Sequence, residues 1–380
     1  MTPSPATGAA ARHGADRCPG LLSPFVSADG AIVRLRIPGG YATTELLREV
    51  SSLATVHGDP AITLTSRGSL QVRGLPTPLP DELLTGLLAT GTIPSGPHDR
   101  VRNIVCDPGD PGLRPLVEQL DAAVLADPLM AGLPGRTLLA VARPDGPVLA
   151  EPHDLAVVAA QGASDATVVV DGRGRAVPAA EAAGLAVAVL GRFLDARGDA
   201  RTWNVTDLPP AARAALLPGA HPVAHSPAAP PRPGRHGDAL VALVPLGMLT
   251  PAMVHALVAV SPEVQVTPWR SVVVPAPEDP ERATHILGRA GLGLDPASPW
   301  TVLSACTGAP GCSRTRTPTQ ELARSAAAAL DPAGPPVHVV GCERACGHPA
   351  RTHALSLRPT SPADVVAAQQ APHPPHPEDG

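Results

Sequence analysis

Ala31-Ile-Val-Arg-Leu-Arg-Ile-Pro38, a helical stretch over 44–53, then Ala61-Ile-Thr-Leu-Thr65 and Ser69-Leu-Gln-Val-Arg73 form the passage that decides the fold. The first segment alternates apolar and polar residues at period two, as a half-buried strand does. Thr43 or Thr44 supplies an N-cap for the helix. The last two segments read as a strand pair turning at Arg67-Gly68. The same order returns later in the chain. Ala239-Leu-Val-Ala-Leu-Val-Pro245 is a strand, Thr250-Pro251 caps a helix to about Val258, and Val264-Gln-Val-Thr267 and Ser271-Val-Val-Val274 flank Trp269-Arg270. Arg67 and Arg270 hold matching places in their turns, each just after a threonine (Thr65, Thr267).

A second element is duplicated as well. Val101-Arg-Asn-Ile-Val105 is a strand ending at Cys106, followed by a Gly/Pro loop and a helix from about Leu113 to Leu125. Thr301-Val-Leu-Ser-Ala305 ends at Cys306 and is also followed by a Gly/Pro loop and a helix. The chain therefore reads as two different modules, each present twice, with pseudo-two-fold symmetry and an α+β fold. The expected boundaries are a disordered start at 1–17, a first strand-rich unit at 18–78 and a first α/β module at 97–215. A Pro-rich linker follows at 216–237, then the second strand-rich unit at 238–278, a second α/β module at 281–360 and a disordered tail at 361–380. A small molecule is expected in the cleft between the halves.

Composition narrows the class. The chain has 380 residues, a formal charge of −5, and 29 basic residues that are all Arg. The negative balance gives no general attraction to nucleic acid. No run of about 18 apolar residues is present to span a membrane, and Met1–Arg17 lacks the apolar core of a signal peptide. A cytoplasmic globular protein is expected. With 49 Pro and 36 Gly, disordered segments are expected at the ends and in the linker.

Four of the six cysteines carry the chemistry. Cys306-Thr-Gly-Ala-Pro-Gly-Cys312 and Cys342-Glu-Arg-Ala-Cys346 give C-x5-C, a gap of 29 residues, and C-x3-C. Paired zinc ligands usually stand two to four residues apart, so the first spacing fits zinc poorly. Cysteines on glycine-rich loops suit a 4Fe-4S cluster, with another metal or unconnected thiols as alternatives. The local pattern explains convergence. Thr317-Pro-Thr-Gln320 resembles a capping box that opens a helix to about Leu330, and Val337-His-Val-Val340 is the next strand. A right-handed β–α–β crossover makes the two strands parallel and delivers both pairs to one sheet edge. Cys106 matches Cys306, but Gly112 stands where Cys312 would be, so the first copy is expected to hold no cluster and Cys106 to be a small buried apolar residue. Cys18 is given no ligand role.

Several of these motifs together resemble the sulfite/nitrite reductase superfamily over roughly residues 20–360. They are Arg36-Ile-Pro-Gly-Gly40, Thr65-Ser-Arg-Gly-Ser-Leu-Gln-Val-Arg-Gly74, Val101-Arg-Asn103, Leu133-Pro134 and the two cysteine pairs. Within it the chain resembles the precorrin-3B synthases, through Arg17-Cys-Pro-Gly20, Thr267-Pro-Trp-Arg270 and its short length. The resemblance implies duplicated ferredoxin-like half-domains, a 4Fe-4S cluster on Cys306, Cys312, Cys342 and Cys346, and a soluble oxidoreductase of corrin biosynthesis. That enzyme converts precorrin-3A to precorrin-3B with O2, oxygenating C20 and closing a lactone. It further implies a tetrapyrrole clamped by Arg67, Arg73, Arg102, Arg136 and Arg270, with Arg34, Arg36, Arg314 and Arg316 as further candidates. Electrons would come from a partner reductase or ferredoxin, since no GxGxxG follows a strand. Sirohaem or a mononuclear iron, with His338 or His348 as ligands, would complete the centre. The alternatives are a sirohaem-dependent assimilatory sulfite or nitrite reductase and a cluster-bearing electron carrier. One departure weighs against the reductase. Leu133-Pro-Gly-Arg-Thr-Leu138 has Arg136 at the first basic place after Leu-Pro and apolar Leu138 at the second.

Overall fold

The computed structural model describes residues 16, 18–198 and 201–371. The expected disorder at 1–15, at Arg17 and at 372–380 lies outside the described residues. The first unit contains β1 (Phe25–Ser27), β2 (Gly30–Leu35), β3 (Tyr41–Thr43), α1 (Thr44–His57), β4 (Ile62–Leu64), β5 (Leu70–Leu75) and α2 (Asp81–Ala89). The first α/β module follows with β6 (Ile104–Cys106), α3 (Arg114–Ala126), β7 (Leu139–Ala142), β8 (Leu155–Val158), β9 (Asp165–Val170), β10 (Arg173–Pro178), α4 (Ala179–Ala196), α5 (Pro210–Ala215) and β11 (His221–Pro222). The second unit has β12 (Gly234–His236), β13 (Ala239–Leu243), β14 (Met248–Leu249), α6 (Pro251–Val260), β15 (Glu263–Val266), β16 (Ser271–Val274) and α7 (Pro280–Arg289). The chain finishes with β17 (Leu303–Ala305), α8 (Thr319–Ala326), β18 (Val337–Val340), β19 (Ala354–Leu357) and α9 (Pro362–Gln370).

The two strand-rich units exchange strands. One sheet runs β1-β2-β5-β4-β14 and its counterpart β12-β13-β16-β15-β3, so each ends on a short strand from the other unit. The device that crosses over is the turn before that strand. Pro38-Gly39-Gly40 and Pro245-Leu246-Gly247 both form single 3-10 turns, with φ of 66° and 78° in the first and 55° and 73° in the second. Both are left-handed, a region costly for residues with a Cβ. Gly40 also needs its hydrogen, because a Cβ there would collide with the Val266 carbonyl. Thr43 caps α1 through Leu46 N–H, and Thr250 caps α6 through Met253 N–H with Pro251 in the first turn. The two helices pack on each other, and one hydrophobic core runs from Leu35 and Leu47 to Leu249 and Val272.

Five bounds differ from expectation. Leu83 of α2 and Leu287 of α7 join that shared core, so the units extend beyond 78 and 278. The 216–237 linker carries β11 and β12, and its Leu216 and Leu217 are buried in the first α/β core. The 361–380 tail holds α9, whose Ser361 capping box starts a helix that buries Val365. The helix expected to reach Leu330 ends at Ala326 and continues as a 3-10 turn over Ala327–Ala329.

Both α/β modules place parallel strands side by side: β6-β7-β8 in the first and β17-β18-β19 in the second. Their carboxyl ends, where ligands collect in open α/β sheets, carry Cys106 and Cys306 respectively.

Candidate functional site

The second module delivers its cysteines through strand pairing. Leu303 faces Val337 and Ala305 faces Val339 across β17 and β18. Cys306 N–H then donates to the Val339 carbonyl at 2.9 Å, extending the ladder to the first thiol. Thr319 Oγ donates to the Cys306 carbonyl at 2.7 Å and lies 3.6 Å from Cys306 Sγ. This replaces the expected capping box: Pro318 holds the N-cap place of α8 and makes no side-chain cap. Gly308, at φ 63°, is packed so closely that a Cβ would collide with Thr319. After β18 the chain turns through Ala345 (φ 43°) and Gly347 (φ 78°), which brings Cys346 back beside Cys342.

All four thiols are free of disulfides and are half-buried or exposed. Burial raises the pKa of Cys346, Arg344 opposes this, and charge on Cys306, Cys342 and Cys312 raises it further. The four thiols therefore share one electrostatic neighbourhood. Among the described residues no three His, Cys, Asp or Glu side chains gather around the position of a single ion. A tetrahedral zinc site would need its sulfurs about 4 Å apart, given a metal–sulfur bond of about 2.3 Å. In a 4Fe-4S cluster each cysteine binds a different iron, and thiols on converging loops suit it. The four-cysteine donor set fits a 4Fe-4S cluster. His338 has protein partners at both ring nitrogens. It is fully buried, with Nδ1 2.8 Å from Ser304 Oγ and Nε2 3.2 Å from the Cys346 carbonyl. Burial, followed by the charge of Arg270, lowers its pKa to about 3. The neutral ring can then donate to the carbonyl and accept from the serine. His348 Nδ1 lies 3.0 Å from the Pro349 carbonyl.

The first module closes the equivalent strand end with charge instead of thiols. Asp107 accepts from Arg143 N–H at 2.7 Å and Val148 N–H at 3.1 Å, while Arg143 pairs with Asp110 at 2.6 Å. Cys106 beside them is 3 % exposed, and burial pushes its thiol up to about 12.

The five arginines expected at the substrate divide. Arg102 forms a buried fork with Asp121, at 2.7 and 2.6 Å, and donates to the Thr92 carbonyl. That engagement removes it from the set of substrate clamps. Arg73 is held by Asp29 and donates to the Gly311 carbonyl at 3.1 Å, beside Cys312. It too faces the protein. Arg136 stacks over Trp203 at 4.9 Å and lies 3.6 Å from Asp16. Arg67 donates to the Arg136 carbonyl, while its Nε is buried without a partner. Its pKa is lowered mainly by burial, then by Arg34. Arg34 likewise has a buried, unpartnered Nε. Arg36 is buried on Asn103 and the Pro19 carbonyl, and Arg314 and Arg316 are exposed. Cys18, given no role from sequence, accepts from Arg34 at 3.2 Å and Arg36 at 3.4 Å.

The Arg67 and Arg270 turns are built alike, but the expected match is corrected: Arg67 corresponds to Trp269, and Arg270 (φ 58°) to Gly68 (φ 61°). Thr65 Oγ accepts from the amides of Arg67 and Ser69, and Thr267 Oγ from those of Trp269 and Ser271, all at 3.2–3.3 Å. A cleft of about 290 Å³ lies where the modules meet, with Ser66, Glu151, Trp269, Arg270, His348 and Arg351 in its lining. Glu151 was missed in the sequence. It sits in an irregular loop, and only the fold brings it to Trp269, whose Nε1 donates to its Oε1 at 2.7 Å. Burial raises the Glu151 pKa, opposed by that bond and by the charges of Arg270, Arg351 and Arg67. Arginines from both repeats therefore act on one carboxyl group. Leu138, the apolar residue at the second basic place, is 2 % exposed and packs into the core beneath this surface.

Comparison with known proteins agrees with the duplicated architecture. No curated protein sequence matches the chain. The fold is similar to that of the NirA protein of Mycobacterium tuberculosis, with a TM-score of 0.62 at 17% identity over 84% of this chain and 69% of that one. Residues 26–89 match the nitrite/sulfite reductase ferredoxin-like half domain.

Proposed function

We propose that the chain is an oxidoreductase of the precorrin-3B synthase type, acting on a carboxylate-bearing tetrapyrrole held in the cleft beside the cysteine loops. The observation that carries this reading is the meeting of the Arg67 and Arg270 turns with Glu151, next to the loop of Cys346. Cys306, Cys312, Cys342 and Cys346 would hold a 4Fe-4S cluster, which supplies single electrons when bound. Arg67, with a free buried Nε, and Arg136, half exposed on Trp203, are placed to take substrate carboxylates; guanidinium forks suit that task. Glu151 is the proton-handling group. Burial raises its pKa, which favours the protonated carboxyl, while Trp269 fixes Oε1. Overall, the substrate, O2, two electrons and two protons would give the monooxygenated lactone and water.

A sirohaem-dependent sulfite or nitrite reductase is the second reading, favoured by the likeness to NirA and the half-domain match. Two observations weigh against it: Leu138 is buried in the core and Arg102 is consumed by Asp121, so fewer cations remain for a small oxyanion. Anaerobic purification with cofactor extraction separates the readings. The first expects iron and sulfide without sirohaem and turnover of precorrin-3A. A sirohaem band with sulfite- or nitrite-dependent oxidation of a reduced donor would establish the second.

A further inference from the structure

Arg73, on β5, and Arg270, in the turn before β16, come from different half-domains, and each reaches out of its own half-domain to the cysteine module. Arg73 Nη2 donates to the carbonyl of Gly311, the residue before Cys312, at 3.1 Å. Ser27 Oγ donates to the same oxygen at 2.8 Å, which fills both of its lone pairs. Asp29 fixes the guanidinium through a two-point fork, Nε to Oδ2 at 3.1 Å and Nη2 to Oδ1 at 3.2 Å. The Arg73 side chain is only 10% exposed, so little water competes for these bonds.

Arg270 mirrors this on the other cysteine pair. Its Nη2 donates to the carbonyl of Gly347, the residue after Cys346, at 2.6 Å. Its backbone adopts φ 58°, uncommon for a residue with a side chain and matching Gly68 (φ 61°) in the first turn. Two glycines make room. A Cβ at Gly247 would stand 2.9 Å from Arg270 Cδ, and one at Gly347 would stand 3.3 Å from Nη2.

We infer that Arg73 and Arg270 are positioning residues that pin the Cys312 and Cys346 loops, one from each half-domain. Together the two would set how the cysteine loops sit relative to the cleft. A carbonyl bonded to a fixed guanidinium cannot rotate, so the attached peptide, and the thiol carried by its neighbour, keep one orientation. The inference rests on the cluster reading of the four cysteines.

The test uses full-length protein purified without oxygen, with iron and sulfide content and the rate of cluster loss to an iron chelator as readouts. Arg73→Ala and Arg270→Ala are each expected to lose the cluster about tenfold faster than wild type, the usual scale for outer-shell partners. Lysine should rescue at 270, where a single bond is made, and fail at 73, where the Asp29 fork needs a guanidinium. Ser27→Ala removes one donor to Gly311 and leaves the ion pair. It should give a smaller acceleration, and it keeps the question answerable if Arg73→Ala does not fold. Arg48→Ala, on the exposed face of α1, should behave as wild type. Loss rates in the Arg73 and Arg270 variants within twofold of wild type would overturn the inference and leave the cluster standing. Wild-type protein without iron and sulfide would instead overturn the cluster reading itself.

Discussion

Glu151 and Asp107 are both carboxyl groups whose pKa burial raises, and they serve different ends. Glu151 lines the cleft with Arg270 and Arg351 and feels the charge of Arg67, so in the proposed reaction its carboxyl faces the substrate. Glu151→Gln should lower kcat by about 10²–10⁴-fold and remove the fall in activity on the alkaline side of the pH profile; an unchanged profile would take the proton role from it. Asp107 is structural, and burial raises its pKa to about 6. A carboxyl whose folded pKa exceeds its unfolded value of about 4 is favoured by folding in its protonated form. Its stabilising contribution is complete below about pH 4 and is lost as pH rises through about 6. Urea unfolding of Asp107→Asn should therefore lack the part of the decline between pH 4 and 7 that wild type shows. Equal slopes for the two proteins would contradict this. Neither residue was legible in the sequence. Each is an acidic residue in an irregular loop, and only three-dimensional packing gives it neighbours. The arginines show the opposite failure. Arg102 and Arg73 stand at motif positions, yet Asp121 and Asp29, far off in sequence, engage them.

Elements were far more legible. The period-two runs at 31–38 and 239–245 and the threonine caps of α1 and α6 lie where the local chemistry puts them, because burial on one sheet face fixes a strand's register. The exchange of β3 and β14 was not legible. Strands of two or three residues carry no periodicity, and the partner of each belongs to the other half of the chain. The same exchange makes the crossover turns critical. Gly40→Ala puts a Cβ into the Val266 carbonyl at a left-handed position. It should cost at least about 1–2 kcal/mol from the backbone alone, read as a lower midpoint in chemical denaturation. A midpoint equal to wild type would show that the turn relaxes freely. The Pro-rich segment read as a linker is instead a wall. Pro230, Pro231, Arg232 and Pro233 line the cleft, and Ala228 N–H bonds the Asp145 carbonyl at 2.8 Å. Proline contacts of this kind leave no periodic signal.

At the scale of the molecule, duplication explains why the four cysteines and the cleft lie together. Both half-domains share one core, both reach into the cysteine module, and only the second α/β copy keeps four thiols at its strand ends. The cleft of about 290 Å³ is at the small end of organic ligand pockets, and a tetrapyrrole with its carboxylate arms is larger. In the proposed reading the cleft widens on binding, and the 230–233 wall is the segment expected to give. Backbone amides around Ala228 should exchange hydrogen faster when the ligand binds, and slower or unchanged exchange would count against a macrocycle in this cleft. No helix among the described residues is long and apolar enough to cross a membrane. The central claim is a cluster-driven oxygenation of a tetrapyrrole, and one measurement addresses it most directly. Anaerobically purified protein, analysed for iron and sulfide, is given precorrin-3A, a reduced donor and ¹⁸O2, and the product is weighed by mass spectrometry. The account predicts a four-iron, four-sulfide cluster and a product carrying one labelled oxygen atom. Unchanged precorrin, together with sirohaem in the protein and donor oxidation that depends on sulfite or nitrite, would contradict it.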